Sequence, residues 1–128
     1  MEELIARVSG AAGIEAALAQ KSVGIILDFL RKEGPVAPVA QLMAALPGAE
    51  AAADAEAGRS GGMMGAAGGM MGSSGGLMAL AGKLSSAGLG MGEMSAVGKE
   101  LFAAAREKVG EDAIGEIAGA VPGLHQFM

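Results

Sequence analysis

The sequence predicts an all-α protein in which two pseudo-repeated helical units form a small bundle and are joined by a Gly/Met-rich segment. Apolar residues recur at three- and four-residue steps, and no segment alternates apolar and polar residues as a strand does. A shift of the chain against itself by about 75 positions aligns its halves. We place the first unit at 1–57, the connecting segment at 58–76 and the second unit at 77–128.

The two halves share short motifs in the same order. "AGI" at 12–14 matches "AGL" at 87–89, and "ALPG" ending at Gly48 matches "AVPG" ending at Gly123. Val23 and Gly24 match Val97 and Gly98 one residue out of register. Six further residues of the first half match residues that lie 75 positions later in the second half. Ile26, Leu27, Arg31, Val39, Leu42 and Leu46 match, in this order, Leu101, Phe102, Arg106, Ile114, Ile117 and Val121.

The first unit contains one long amphipathic helix and two shorter helices. Its apolar positions predict a long helix over about 15–33, with charged residues such as Asp28 between them on the polar face. We expect this helix to end at Gly34, in a left-handed conformation, and at Pro35, which cannot donate the next backbone hydrogen bond. Proline fits a first turn, so the next helix is predicted from about Pro38 to Leu46. A short helix is predicted over 2–8.

The second unit follows the same plan. A short helix is predicted over 77–85 and a long one over 91–109, closed by Gly110. The last helix opens with Glu111 and Asp112, whose carboxylates are favoured near the positive end of the helix dipole.

These motifs together resemble a known class of proteins. An "AGI" or "AGL" entry, an apolar helix ending in charged residues and glycine, and a short helix ending in "LPG" or "VPG" are similar to small uncharacterised bacterial helical families with Gly-rich centres. Such domains of unknown function occur in proteobacteria. The resemblance covers both halves but not the Met heptads, and it implies a bacterial origin without an activity to transfer.

The sequence from 61 to 81, which begins in the connecting segment, repeats every seven residues as "GGMMGAA", "GGMMGSS" and "GGLMALA". In a helix, seven residues make nearly two turns, so the methionines would share a face beside GxxxG-type grooves. The candidate interaction surface is therefore Met63, Met64, Met70, Met71, Gly65, Gly69 and Gly72.

Three structures remain open for this segment. Its glycines each disfavour a helix in water by about 0.8–1 kcal/mol relative to alanine, which favours a flexible linker. The second possible structure is an ordered segment that packs against the rest of the chain or against another copy, with methionine side chains filling irregular gaps. A membrane helix is the third, because no charge lies between Arg59 and Lys83, although the segment has few large apolar residues.

Composition restricts the classes of partner. A net charge of −5 with scattered basic residues argues against nucleic acid, which requires clustered cations. The absence of cysteine excludes disulfides and thiolate metal sites. The start of the chain lacks a basic, apolar leader, so we expect a cytoplasmic protein, with peripheral membrane association as an alternative.

Two stretches resemble cofactor-binding motifs but do not match them, and one pair of methionines has the spacing of a copper site. "GGLMALAGKLS" has the wrong spacing for a phosphate-binding loop, and in "GLGMGEM" Glu93 occupies the place of the third glycine. Met91 and Met94 have MxxM spacing that suits Cu(I), but methionines at helical spacing are more typical of a core. No cofactor or metal is therefore predicted.

No catalytic constellation is evident. The single histidine, His125, lies near the end of the sequence without a neighbouring acid or nucleophile, and Glu111, Asp112 and Glu116 are explained by a helix start. We therefore expect a non-enzymatic interaction or scaffold protein that acts through self-association or a protein partner. The alternative is a membrane- or lipid-associated protein that uses the central GxxxG- and Met-rich segment.

Overall fold

A computed structural model describes residues 2–60 and 76–121 of the chain, with side chains at 2–56 and 80–121. These residues form seven helices and no strand, which confirms the all-α class for the described part. The helices are α1 (Glu2–Ala12), α2 (Ala16–Glu33), α3 (Val36–Ala45), α4 (Ala49–Ser60), α5 (Gly76–Ala87), α6 (Met91–Val109) and α7 (Glu111–Ala120).

Helix α2 is the centre of the fold. Residues 22–30 are all buried, so this part of the helix is covered around its whole circumference. It contacts α1, α3, α4, α5 and α6, and α4 is its most extensive neighbour. Helices α3 and α7 pack against each other and against α6. Aliphatic side chains from all these elements, together with Phe29 and Phe102, form one continuous core.

The predicted helix bounds hold to within a few residues. Helices α2 and α6 occupy the predicted ranges, and Glu111 and Asp112 lie in the first turn of α7 as expected. Helix α3 begins two residues before Pro38, which therefore lies in its first turn. The short helices α1 and α5 extend to Ala12 and Ala87, beyond the predicted ends.

The prediction of a left-handed Gly34 is wrong. This residue has φ −85° and ψ 169°, which is extended backbone open to any residue. The reason for glycine is steric: a Cβ here would lie 2.7 Å from the Leu30 carbonyl oxygen and 2.8 Å from Cγ2 of Val39. Gly110, by contrast, ends α6 with φ +90°, a conformation that favours glycine.

Helix α4 was not predicted from the sequence. It is rich in alanine, and the buried residues among its described side chains are Ala49, Ala52 and Ala53. Alanine contributes little apolar area, so the usual pattern of large apolar residues is missing. The short side chains instead let α4 lie close to α2.

Candidate interaction surface

The contact between α2 and α4 is unusually close at one glycine. A Cβ placed on Gly24 would lie 2.7 Å from the carbonyl oxygen of Ala52 and 3.0 Å from Cγ of Glu56. Real Cβ atoms do not approach backbone oxygens this closely, so glycine is the residue that fits between the two helices. This contact fixes α4 against one face of α2.

A charged cluster at the end of α2 crosses to α4. The Asp28 carboxylate, predicted on a polar face, is in fact buried, because α4 covers that face. It accepts a hydrogen bond from Nη2 of Arg31 at 3.2 Å and pairs with Nζ of Lys32 at 3.0 Å. Nη1 of Arg31 donates to Oδ1 of Asp54 at 2.6 Å.

This cluster is electrostatically satisfied. The hydrogen bond to Asp54 is the largest cause that raises the pKa of the Arg31 guanidinium above its ordinary value; partial burial opposes it and Asp28 adds to it. Arg31 therefore carries its charge over the whole ordinary pH range. Asp28 is thus held by two cations of its own helix, and Arg31 links this helix to Asp54 of α4.

An open groove of about 550 Å³ lies beside this contact. It runs between the first turns of α2 and the middle of α4, and Ala87 at the end of α5 completes its wall. Its charged lining consists of Glu15, Lys21 and Glu56. Within the described residues, no three His, Cys, Asp or Glu side chains form a group that could hold a metal ion.

The most unusual surface is the outer face of α3. Gln41 is the only polar residue of this ten-residue helix, so α3 is apolar around its whole circumference. One face, with Val39 and Leu42, is buried in the core. The other is exposed, and Val36 on it is 84% exposed. The rest of this outer face is formed by Ala37, Ala40, Gln41 and Ala44.

The residues predicted as an interaction surface are not placed by the structure. Met63, Met64, Met70 and Met71 lie outside the described residues. The same holds for Gly65, Gly69 and Gly72, and for His125. The predicted role of the central segment therefore stays a prediction.

Other residues considered from the sequence are described. Glu111, Asp112 and Glu116 are all exposed on α7. Met91 is 82% exposed whereas Met94 is 5% exposed, so the two sulfur atoms do not share one environment as copper ligands would.

Both near-matches to phosphate-binding motifs have a structural explanation. The Glu93 carboxylate accepts a hydrogen bond from the Gly90 amide at 2.6 Å, and so caps α6 where a GxGxxG loop would hold phosphate. Residues 76–85 of the P-loop-like stretch lie within helix α5.

Sequence reasoning missed the α3 surface, although a signal for it was present. Among the described helices, α3 alone has no charged side chain. Since a helix of this composition is normally buried on every side, any face that the core leaves uncovered is a candidate contact surface.

No single described helix is both long and apolar enough to cross a bilayer. Helices α3 and α4 (to Glu56) together meet the same criteria of length and composition, with a bend of 114° between them.

Comparison with protein-family models, with curated proteins and with solved structures found no match to this chain.

Proposed function

We propose that this chain is a duplicated helical protein that acts by association with itself or with a protein partner, and not by catalysis. The observation that carries the proposal is the exposed apolar face of α3. The duplication is the second part of the proposal. A comparison of the two units identifies surfaces that are buried in one unit and exposed to solvent in the other.

The helix bounds support the duplication. Adding 75 to the bounds of α3, 36 and 45, gives 111 and 120, which are the bounds of α7. The same shift takes α2, 16–33, to 91–108, against 91–109 for α6. It takes α1, 2–12, to 77–87, against 76–87 for α5.

Many of the equivalent positions also have similar environments. Gly13 and Gly88, 75 residues apart, both have positive φ, +68° and +109°. Leu46 and Val121 cap α3 and α7 with φ −106° and −107°. Buried core residues 75 apart include Ala19 and Met94, Ile26 and Leu101, Leu27 and Phe102, Val39 and Ile114, and Leu42 and Ile117.

The face of α3 favours association for a physical reason. A helix that is apolar all round is normally buried on every side, yet α3 leaves Val36 and three alanines to solvent. Contiguous apolar surface is typical of binding sites for proteins or membranes. Helix α7, the proposed counterpart of α3, has Glu111 where α3 has Val36 and Glu116 where α3 has Gln41. The two units therefore differ in the property that matters for association.

The substitution that tests this proposal is chosen from the residue that the second unit has at the equivalent position. Val36→Glu introduces the residue that α7 has at this position, where an acid in a first turn is compatible with the helix. We expect Val36→Glu combined with Ala40→Glu to weaken association by about tenfold or more, measured as molar mass by light scattering over a range of concentrations. Met91→Glu, which removes the other highly exposed large apolar side chain among the described residues, is the matched control and should leave the mass unchanged.

Three outcomes count against this function. They are a wild-type chain that stays monomeric at every concentration and binds no defined protein, an unchanged mass of the α3 variant, or equal loss of association in the Met91 control. Thermal unfolding of each variant establishes that the fold is intact.

A lipid surface is the second candidate, favoured by the apolar character of the bent α3–α4 pair. Sedimentation with vesicles of neutral and of anionic phospholipid separates the two functions. Binding to vesicles that is lost in the α3 variant, with a monomeric wild type in solution, would favour the lipid function over protein association.

A further inference from the structure

Six positions of α2 face α4 or the groove beside it. They recur at three- and four-residue steps and therefore lie along one stripe of the helix. The first three line the groove opposite Ala52, Ala55 and Glu56, and the last three meet α4 through the Gly24 contact and the charged cluster. This covered stripe consists of Ala17, Gln20, Lys21, Gly24, Asp28 and Arg31.

Among residues 2–60 and 76–121, no helix covers the same stripe of α6 in the way that α4 covers that of α2. The two stripes differ at two positions: Gly24 and Asp28 are buried on α2, whereas their counterparts on α6 are exposed and half-buried. The other four positions are exposed or half-buried on both helices. Lys99 and Arg106 form no ion pair within the described residues. This open stripe consists of Gly92, Ser95, Ala96, Lys99, Ala103 and Arg106.

We propose that the open stripe of α6 binds the outer face of α4 from a second copy of the chain, an inference that rests on the proposed duplication and self-association. The covered stripe shows what such a surface accepts, namely an alanine-rich helix with acidic residues. Helix α4 is that helix within the chain, and its own outer face has the same character.

Charge and size agree across this contact. The outer face of α4 is formed by Glu50, Ala51 and Asp54, and all three are exposed. Small side chains on both helices, such as Ala51 and Ala103, allow the helices to approach, and the acidic outer face of α4 is opposite in charge to the stripe of α6. The open stripe thus gives a chain of net charge −5 a basic surface for its own acidic helix.

The ion pair between the two copies follows from which acid of α4 already has a partner within the chain. Asp54 is held by Arg31 at 2.6 Å, whereas Glu50 forms no ion pair within the described residues. Glu50 is therefore the acid that pairs with Arg106 of the other copy. Lys99 stands where α2 has Gly24, so the partner's helix lies farther from α6 than α4 lies from α2.

The experiment reverses charges singly and together. Arg106→Glu and Glu50→Arg should each weaken association by about tenfold or more, because like charges then face each other. The double variant should regain wild-type association, since every copy carries both faces. Lys108→Glu makes the same change of charge on the opposite side of α6 and should have no effect.

The outcomes separate this inference from the proposed function. Sedimentation velocity gives the association constant, and thermal unfolding verifies that each variant is folded. A wild type that associates with the same constant as Arg106→Glu overturns the α6 site and leaves the proposed function standing. Loss in the single variants without recovery in the double variant also overturns the site. A monomeric wild type overturns the α6 site, and it contradicts the proposed function as well if the chain also binds no defined protein.

Discussion

Gly24 of α2 lies directly beneath the backbone of α4, where a Cβ would stand 2.7 Å from the Ala52 carbonyl oxygen. An alanine at position 24 would favour the helix by about 1 kcal/mol through its propensity, but it would force α4 away from α2. Overpacking of this kind costs about 1–3 kcal/mol, so we expect Gly24→Ala to lower the free energy of unfolding. Urea denaturation measures the change.

The control for Gly24 is a glycine without such a neighbour. A Cβ on Gly115, in the exposed part of α7, meets nothing within 4 Å. Gly115→Ala should therefore stabilise the protein by up to about 1 kcal/mol. Stabilisation by both substitutions would show that α4 does not lie as close to α2 as described.

The charged cluster predicts an asymmetry between its members. Asp28 is buried, whereas Arg31 and Lys32 are 33% and 53% exposed at their side chains. Removal of both cations, by Arg31→Met with Lys32→Met, leaves a buried carboxylate unpaired and should cost about 3 kcal/mol or more. Asp28→Asn leaves two cations that water reaches and should cost only about 1 kcal/mol. Denaturation at neutral pH compares the two variants.

A third variant tests the reason for that asymmetry. When the two cations have been removed, Asp28→Asn should recover part of the lost stability, because it deletes the unpaired charge. Additive costs in the triple variant would mean that the three side chains do not interact as the cluster requires.

The long helices could be predicted because their signals are local. Large apolar residues at helical spacing defined α2 and α6, and glycine and proline marked their ends. Helix α4 could not be found in this way, because its packing depends on alanine and on the space that Gly24 leaves on another helix. The burial of Asp28 follows from α4 and was missed for the same reason.

The candidate surfaces were less predictable than the fold. The exposure of Val36 depends on which side of an apolar helix the core covers, and the sequence of α3 does not distinguish its two sides. The open stripe with Lys99 and Arg106 is recognised only by comparison with the covered stripe of α2. Charged residues on a helix surface have no distinguishing pattern in one sequence.

The glycine that ends α2 gives a third prediction. Gly34→Ala would place a Cβ 2.7 Å from the Leu30 carbonyl oxygen and 2.8 Å from Cγ2 of Val39. We expect a loss of about 1–3 kcal/mol through this clash, although the backbone itself is unstrained. Gly10→Ala, in α1 with no atom within 4 Å of its Cβ, is the control and should not destabilise. Equal effects of the two changes in thermal unfolding would contradict the close contact at Gly34.

The packing of α1 against α6 gives a fourth prediction. It separates the contribution of ion pairs to stability from that of buried apolar side chains. Arg7 pairs with Glu100 at 3.3 Å and with Glu107 at 3.2 Å, but its side chain is 41% exposed. Exposed ion pairs contribute about 0–1 kcal/mol and are screened by salt, so Arg7→Ala should cost less than about 1 kcal/mol and less still at high ionic strength. Val8, on the same helix, is fully buried, and Val8→Ala should cost about 2 kcal/mol at any salt concentration. Denaturation at low and high salt measures both changes, and a larger cost for Arg7 would mean that charge rather than buried apolar area holds α1 in place.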